Sequence, residues 1–317
     1  MNKYLVLFLI STFFFSCNKE IKIPSEIANL PVDMEVVRFD EQFSKSTTQD
    51  LPVLKKTFPY LFSRRYPDEY WIAKFTDTIQ QEINAEVAKA FPDVEEEKNA
   101  LDNLFKHITY YYPSSIVPKL VTITSEVDYR NKVVLADSLL IVGLDTYLGK
   151  DHHFYVGIPT FQAKNFRKEQ IDVDVAHAFA KKITSKVKNK EFLSEMIYEG
   201  KKLYAMRSFL TTKPEYEVLS YTEAELNFAR ENEFYIWEYF IKSEYLYSTD
   251  NKLLSRFLNP APFSKFYLEF DNETPGRIGR YIGYEIVKSY MENNDVPLKT
   301  MLIQDAETIF ASAKYKP

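Results

Sequence analysis

Between Pro118 and Leu148 the hydrophobic period changes, and that change limits the fold more than any other feature of the chain. On either side apolar residues recur every three or four positions, as on one face of a helix. Within the stretch, Val121 and Ile123 alternate with Thr122 and Thr124, as in a half-buried strand. Residues 133–136 and 139–144 are short apolar runs separated by turn-forming residues. The expected fold class is α+β, predominantly helical with a small β-sheet of three or more strands.

The flanking periodicities place the helices. Ile72, Phe75, Ile79, Ile83, Val87 and Phe91 make one stripe, which predicts a long helix capped by Asp68 and stopped by Pro92. A second helix runs through Leu101, Leu104, Phe105 and Ile108 to Pro113, and the acidic residues 93–98 before it read as solvated. Before the sheet, Met34, Val36 and Phe39 suggest a first strand. After it, four or more helical patterns follow, one of them opened by a capping-box spacing from Thr222 to Glu225. Sixteen per cent of the residues are aromatic and only seven are glycine, so a tightly packed body with few flexible loops is expected.

The N-terminus reads as an export signal. Lys3 and the free amine are positive, residues 4–15 are almost wholly apolar, and Ser16 is a small residue at the cut. Twelve residues are too few to span a bilayer, which takes about 20. Cys17, the one cysteine in 317 residues, follows directly. That is where bacterial lipoprotein signals place the thiol that becomes acylated, although Phe14 stands where they usually carry an aliphatic residue. Cys17 is therefore the expected lipidation site, and acyl chains contribute about 0.8 kcal/mol per buried methylene to membrane retention. The expected organisation is a signal peptide over 1–16, a lipidated tether over 17–30 and a single globular domain over 31–317. Loss of Lys3 takes the net charge from −5 to −6, which implies no general attraction to nucleic acid.

Candidate chemistry is sparse. His107 lies among helical aromatics, as a packed histidine would, while Asp151, His152 and His153 share a loop that could in principle hold a metal. His177 lies on a helix, but neither register of the zinc-peptidase pattern H-E-x-x-H survives around it. With His177 as second histidine, Val173 and Asp174 occupy the first-histidine and glutamate positions; with His177 as first, Ala178 and Lys181 replace the partners. A Glu199-Gly200 pair follows on the next helix, where glutamate-ligand zinc peptidases often draw their third ligand. Sheet, broken metal helix and Glu-Gly helix thus suggest a degenerate zincin-like fold, with Asp174, His177 and Glu199 at the former site. No metal, cofactor or catalytic residue is expected. G-x-S-x-G, P-loop and G-x-G-x-x-G patterns are absent from the sequence.

Residues 257–290 form the densest unusual segment. Pro275-Gly276 would start a helix on which Gly279 and Gly283, four apart, leave a smooth face. Arg277 and Arg280 sit in its first turn, where cations are disfavoured, so carboxylate partners are expected, with Asp271 and Glu273 nearest in sequence. Two readings stay open: internal packing with ion pairs, or a docking surface for a partner or anionic group formed by Arg277, Gly279, Arg280 and Gly283.

Four stretches, LPVDMEVVRFDEQF, TITSEVDYRNKVVLADSLLIVGLDTYLGKDHHFY, the segment LYSTDNKLLSRFLNPAPFSKFYLEFDNETPGRIGRYIGYEIVKSYMENNDV and the terminal SAKYKP, resemble the gliding-motility lipoprotein family GldB of the Bacteroidetes. The resemblance runs over nearly the whole chain after the signal. It implies a lipid-anchored protein of the cell envelope, at the outer membrane and facing the periplasm, needed for gliding and for the linked type IX secretion machinery. Its partners would be the membrane, through the lipid on Cys17, and other proteins of that machinery, with no nucleic acid. It carries over no catalytic residue, so a non-enzymatic role in assembly or stabilisation is expected. The alternatives are a periplasm-tethered metal-dependent hydrolase and a peptide- or glycan-binding lipoprotein using exposed Tyr and Phe.

Overall fold

The computed structural model describes residues 23–186, 189–269 and 271–317; the signal segment and Cys17 lie outside them. The chain opens with a single turn, α1 (Ser25–Ala28), then β1 (Val36–Arg38) and five helices: α2 (Phe39–Ser44), α3 (Leu51–Thr57), α4 (Asp68–Thr76), α5 (Thr78–Ala90) and α6 (Glu95–Tyr111). Strands β2 (Lys119–Ile123), β3 (Val133–Leu135) and β4 (Leu139–Gly143) come next. The remainder is helical: α7 (Thr160–Ala163), α8 (Ile171–Ile183), α9 (Phe192–Phe209), α10 (Glu215–Val218), α11 (Glu223–Glu231) and α12 (Glu233–Lys242). It ends with α13 (Lys252–Phe257), α14 (Ile278–Asn293), α15 (Leu298–Ile303) and α16 (Ala306–Ala313). The α+β class, mostly helical with a small sheet, is as the periodicities require.

The sheet has the order β1-β2-β4-β3. β1, β2 and β4 are parallel, and β3 closes one edge antiparallel to β4. The alternation in β2 is not an inside-outside pattern, because both faces are covered. Leu120 joins Leu140 and Val142 in the main core, whereas Val121 packs with Phe39, Phe43, Phe58 and Phe62 in a second, aromatic core. Thr122 is buried too, and its hydroxyl donates to Asp40 Oδ1 at 2.5 Å. Parallel strands are commonly buried on both sides in this way.

Two sequence expectations need correction here. The stripe over residues 68–91 is two helices, broken at Asp77, whose side chain accepts from Gln80 N at 2.8 Å and caps α5. Asp68 is the first residue of α4 and makes no side-chain cap. The halves serve different cores: Trp71, Ile72 and Phe75 pack on the aromatic one, Ile83 and Val87 belong to the main one. The tether expected over 17–30 is also shorter, because Ile27 is 4% exposed within α1, which packs on α6. Burying one isoleucine stabilises that docking by about 2 kcal/mol.

The main core is centred on α9. Its buried residues lie on every side of the helix, from Phe192 and Met196 to Ala205 and Phe209, as a helix surrounded by other helices requires. α14 packs along it, with α8, α15 and α16 around the pair. Among the described residues no helix is long and apolar enough to cross a membrane.

Candidate functional site

The close approach of α9 and α14 fixes the geometry of everything around it. A Cβ built on Gly200 would lie 2.1 Å from the carbonyl oxygen of Gly283, and one on Gly283 would lie 1.9 Å from that of Met196. Backbone touches backbone, so neither position has room for a side chain. Gly279 is packed less tightly against the end of α13, where a built Cβ would meet Leu258 Cδ2 at 2.9 Å and Phe257 O at 3.1 Å. The smooth face formed by Gly279 and Gly283 is therefore occupied from within, and the docking reading of those two glycines gives way to internal packing.

Beside this contact lies a buried charge group. Glu199, one residue before Gly200, holds Lys202 Nζ at 2.7 Å and Arg280 Nε at 3.3 Å. Lys202 is a helical i,i+3 partner, while Arg280 comes from α14 and also donates from Nε to Leu258 O at 2.6 Å. Burial alone would raise the pKa of Glu199, but Arg280 and Lys202 outweigh it and hold the carboxyl below its ordinary range. The carboxylate expected beside Arg280 is thus Glu199, not Asp271 or Glu273. Asp271 instead accepts from the backbone N–H groups of Phe266, Tyr267 and Leu268 at 3.0, 2.8 and 3.2 Å.

His177 on α8 joins the same group. Burial first, and then the charges of Lys202 and Arg280, push its pKa down to about 3, with Glu199 opposing them. The imidazole is neutral at physiological pH. Asp174, one turn earlier on α8, faces elsewhere: its Oδ2 accepts from Tyr147 Oη at 2.9 Å and pairs with Lys132 Nζ at 2.5 Å. The structure thus brings His177 and Glu199 together and leaves Asp174 apart. Two ammonium or guanidinium groups occupy the carboxylate that a metal would need. Among the described residues no cluster of three or more His, Cys, Asp or Glu is arranged to hold a metal ion.

The other histidines have ordinary partners. His107 donates from Nδ1 to Asn103 O at 2.9 Å and accepts at Nε2 from Thr211 Oγ1 at 3.0 Å, which makes it a satisfied core residue. His152 and His153 stack at 4.4 Å and face Glu86 and Glu82, one turn apart on α5, at 3.3 and 3.1 Å. Asp151 points away from them to Lys150 at 3.9 Å.

Sequence reasoning missed a cleft of about 320 Å³ on the far side of Asp174. Arg130, Lys132, Lys164 and Arg277 line it together with Asp174, Glu225 and the rings of Tyr129, Phe161 and Phe166. Arg277 enters at the head of α14, which begins at Ile278 rather than at Pro275-Gly276. Gly276 is fixed by its neighbour, since a Cβ there would meet Ala261 O at 2.1 Å. Arg277 itself has φ +64°, in the left-handed region, and its guanidinium donates to Ser220 O at 2.8 Å. Ser220 is left-handed as well, at +56°. Lys164 is held by Glu225, whose carboxylate also completes the capping box with Thr222 N at 2.6 Å. The one signal for this cleft in the sequence was an arginine at a helix start.

A family model described as gliding motility protein GldB matches residues 20–317. No curated protein and no solved structure matches the chain.

Proposed function

The chain belongs to the gliding motility protein GldB family, and from that premise we propose that it serves gliding as a non-enzymatic component of the cell envelope. Acylated at Cys17 and held at the outer membrane with its body in the periplasm, it assembles or stabilises the motility machinery and the linked type IX secretion apparatus. Any tether from Cys17 ends before Ser25, because α1 packs on the body.

One observation carries the non-enzymatic part of this reading. Glu199 is matched by Lys202 and Arg280 at ion-pair distance, and His177 beside it is kept neutral by burial first and then by the same two cations. A metal ion entering there would have to displace two positive charges, the buried Lys202 and the half-buried Arg280, that the helix contact holds in place. This supports a former metal position converted to a structural ion pair, and it weighs against the hydrolase alternative.

The test is complementation of a deletion strain. Loss of the protein is expected to stop gliding and lower type IX export, and the wild-type chain to restore both. Cys17→Ser should appear in the soluble fraction and fail to complement. His177→Leu should complement fully. A stable His177→Leu protein that fails to restore gliding, or stoichiometric zinc in the purified wild type that this variant loses, would overturn the non-enzymatic reading.

A further inference from the structure

The cleft at the head of α14 holds more positive than negative charge, and the surplus is on Arg130 and Arg277. Asp174 is committed to Lys132 at 2.5 Å and Glu225 to Lys164 at 2.6 Å. Arg130 and Arg277 are left with no carboxylate at ion-pair distance among the described residues; Arg130 lies over the Tyr129 ring at 5.5 Å. A guanidinium carries five donors, and among the described residues Arg277 makes one hydrogen bond, to Ser220 O.

Its surroundings sharpen the mismatch. Burial, and next the positive charge of Arg280, lower the pKa of Arg277 against the opposing pull of Glu225 and Glu199, and Lys164 is lowered by burial and also by Arg277, with Glu225 opposing. The hydroxyl of Tyr221, whose ring lies 5.7 Å from the Arg277 guanidinium, is buried without a hydrogen-bond partner. Two non-glycine residues in left-handed conformation, Ser220 and Arg277, meet through the hydrogen bond that aims the side chain. Repulsion and unfilled donors at one place are relieved together by a bound anion with two acceptor oxygens, the shape to which a guanidinium fork is matched.

We propose that this cleft is a binding site for an oxyanion, a carboxylate or phosphate group, gripped by Arg277 and flanked by Lys164 and Arg130. A volume of about 320 Å³ is at the small end of small-molecule pockets, so it admits the anionic group with a short body against Phe161 and Phe166. This goes beyond the motility role and is independent of it, because its test has no motility readout.

The experiment is calorimetric titration of the full-length lipoprotein in neutral detergent at fixed ionic strength. Inorganic phosphate, N-acetylglycine and the uncharged N-acetylglycinamide are the probes. At least one anion should bind with a Kd of about 1 mM or tighter, about 4 kcal/mol, and the amide should not. Phosphate alone, or N-acetylglycine alone, then identifies the source of the group. Arg277→Gln should weaken binding about tenfold or more, the loss of one charge-assisted fork. Should that variant fail to fold, Arg130→Glu, which reverses an exposed charge, must weaken binding about threefold or more. No binding of either anion, equal binding of the amide, unchanged affinity in a folded Arg277→Gln, or unchanged affinity in Arg130→Glu where Arg277→Gln does not fold, overturns the proposal.

Discussion

Glu199 and Arg277 are near neighbours in space with opposite circumstances. Glu199 sits between two cations, so its own charge is fully matched. Arg277 feels the charge of Arg280, has no carboxylate at ion-pair distance among the described residues, donates to a single carbonyl and opens onto a cleft. The first arrangement is what a structure does with charge it must bury for its own stability; desolvation is repaid only when geometry and partners are complete. The second is what remains when the partner comes from outside. Charge alone does not mark a site, therefore, and the distinction lies in whether the protein supplies its own counterion.

Four substitutions probe that contrast, in descending order of effect. Gly283→Leu forces a side chain into Met196 O and separates α9 from α14, so Arg280 leaves Glu199. A loss of about 3 kcal/mol or more, or no recoverable folded protein, is expected in denaturant melts. A variant with a wild-type midpoint would mean that the helices do not need this contact. Glu199→Gln keeps the shape but strands Lys202 and Arg280, and should cost about 3 kcal/mol in the same assay. If it costs less than Arg277→Gln, the contrast between compensated and surplus charge is wrong.

The third concerns His177. Its folded pKa, about 3, lies below the value of about 6.5 in an unfolded chain. The unfolded state therefore binds the extra proton as pH falls, and stability contributed by the neutral ring is present above about 6.5 and lost on acidification. Between pH 7 and 5 the wild type should lose about 1–2 kcal/mol more than His177→Leu, measured by urea melts at both pH values. Parallel losses would show that the ring is protonated in the folded protein. The smallest effect is expected of Arg277→Gln: it forfeits the bond to Ser220 but removes repulsion with Arg280, so stability should change by about 1 kcal/mol or less. Its large effect belongs to anion binding.

Much of the architecture was legible in the sequence because it depends on local periodicity. Helix α6 and the capping box at Thr222 needed nothing beyond spacing. The break at Asp77 was hidden because the apolar stripe continues through it, and only the existence of two cores, one on each face of the sheet, explains why the helix must turn there. The charge group was half legible. Glu199 and Lys202 are three apart on one helix, a visible pair, but Arg280 reaches Glu199 across 81 positions (280 − 199), and assigning it to Asp271 or Glu273 by proximity was bound to miss. The cleft was least legible, since its cations come from residues 130, 132, 164 and 277 and meet only in the folded chain.

The paired glycines of α9 and α14 have a mechanical corollary. Side chains between helices act as compliant spacers that let one element slip past another by fractions of a turn. Where peptide planes rest directly on each other, as at Gly200 and Gly283, that play is gone. A pull applied to α14 would reach α9 undamped, and any moving part of this protein must be sought away from the axis that the two helices share.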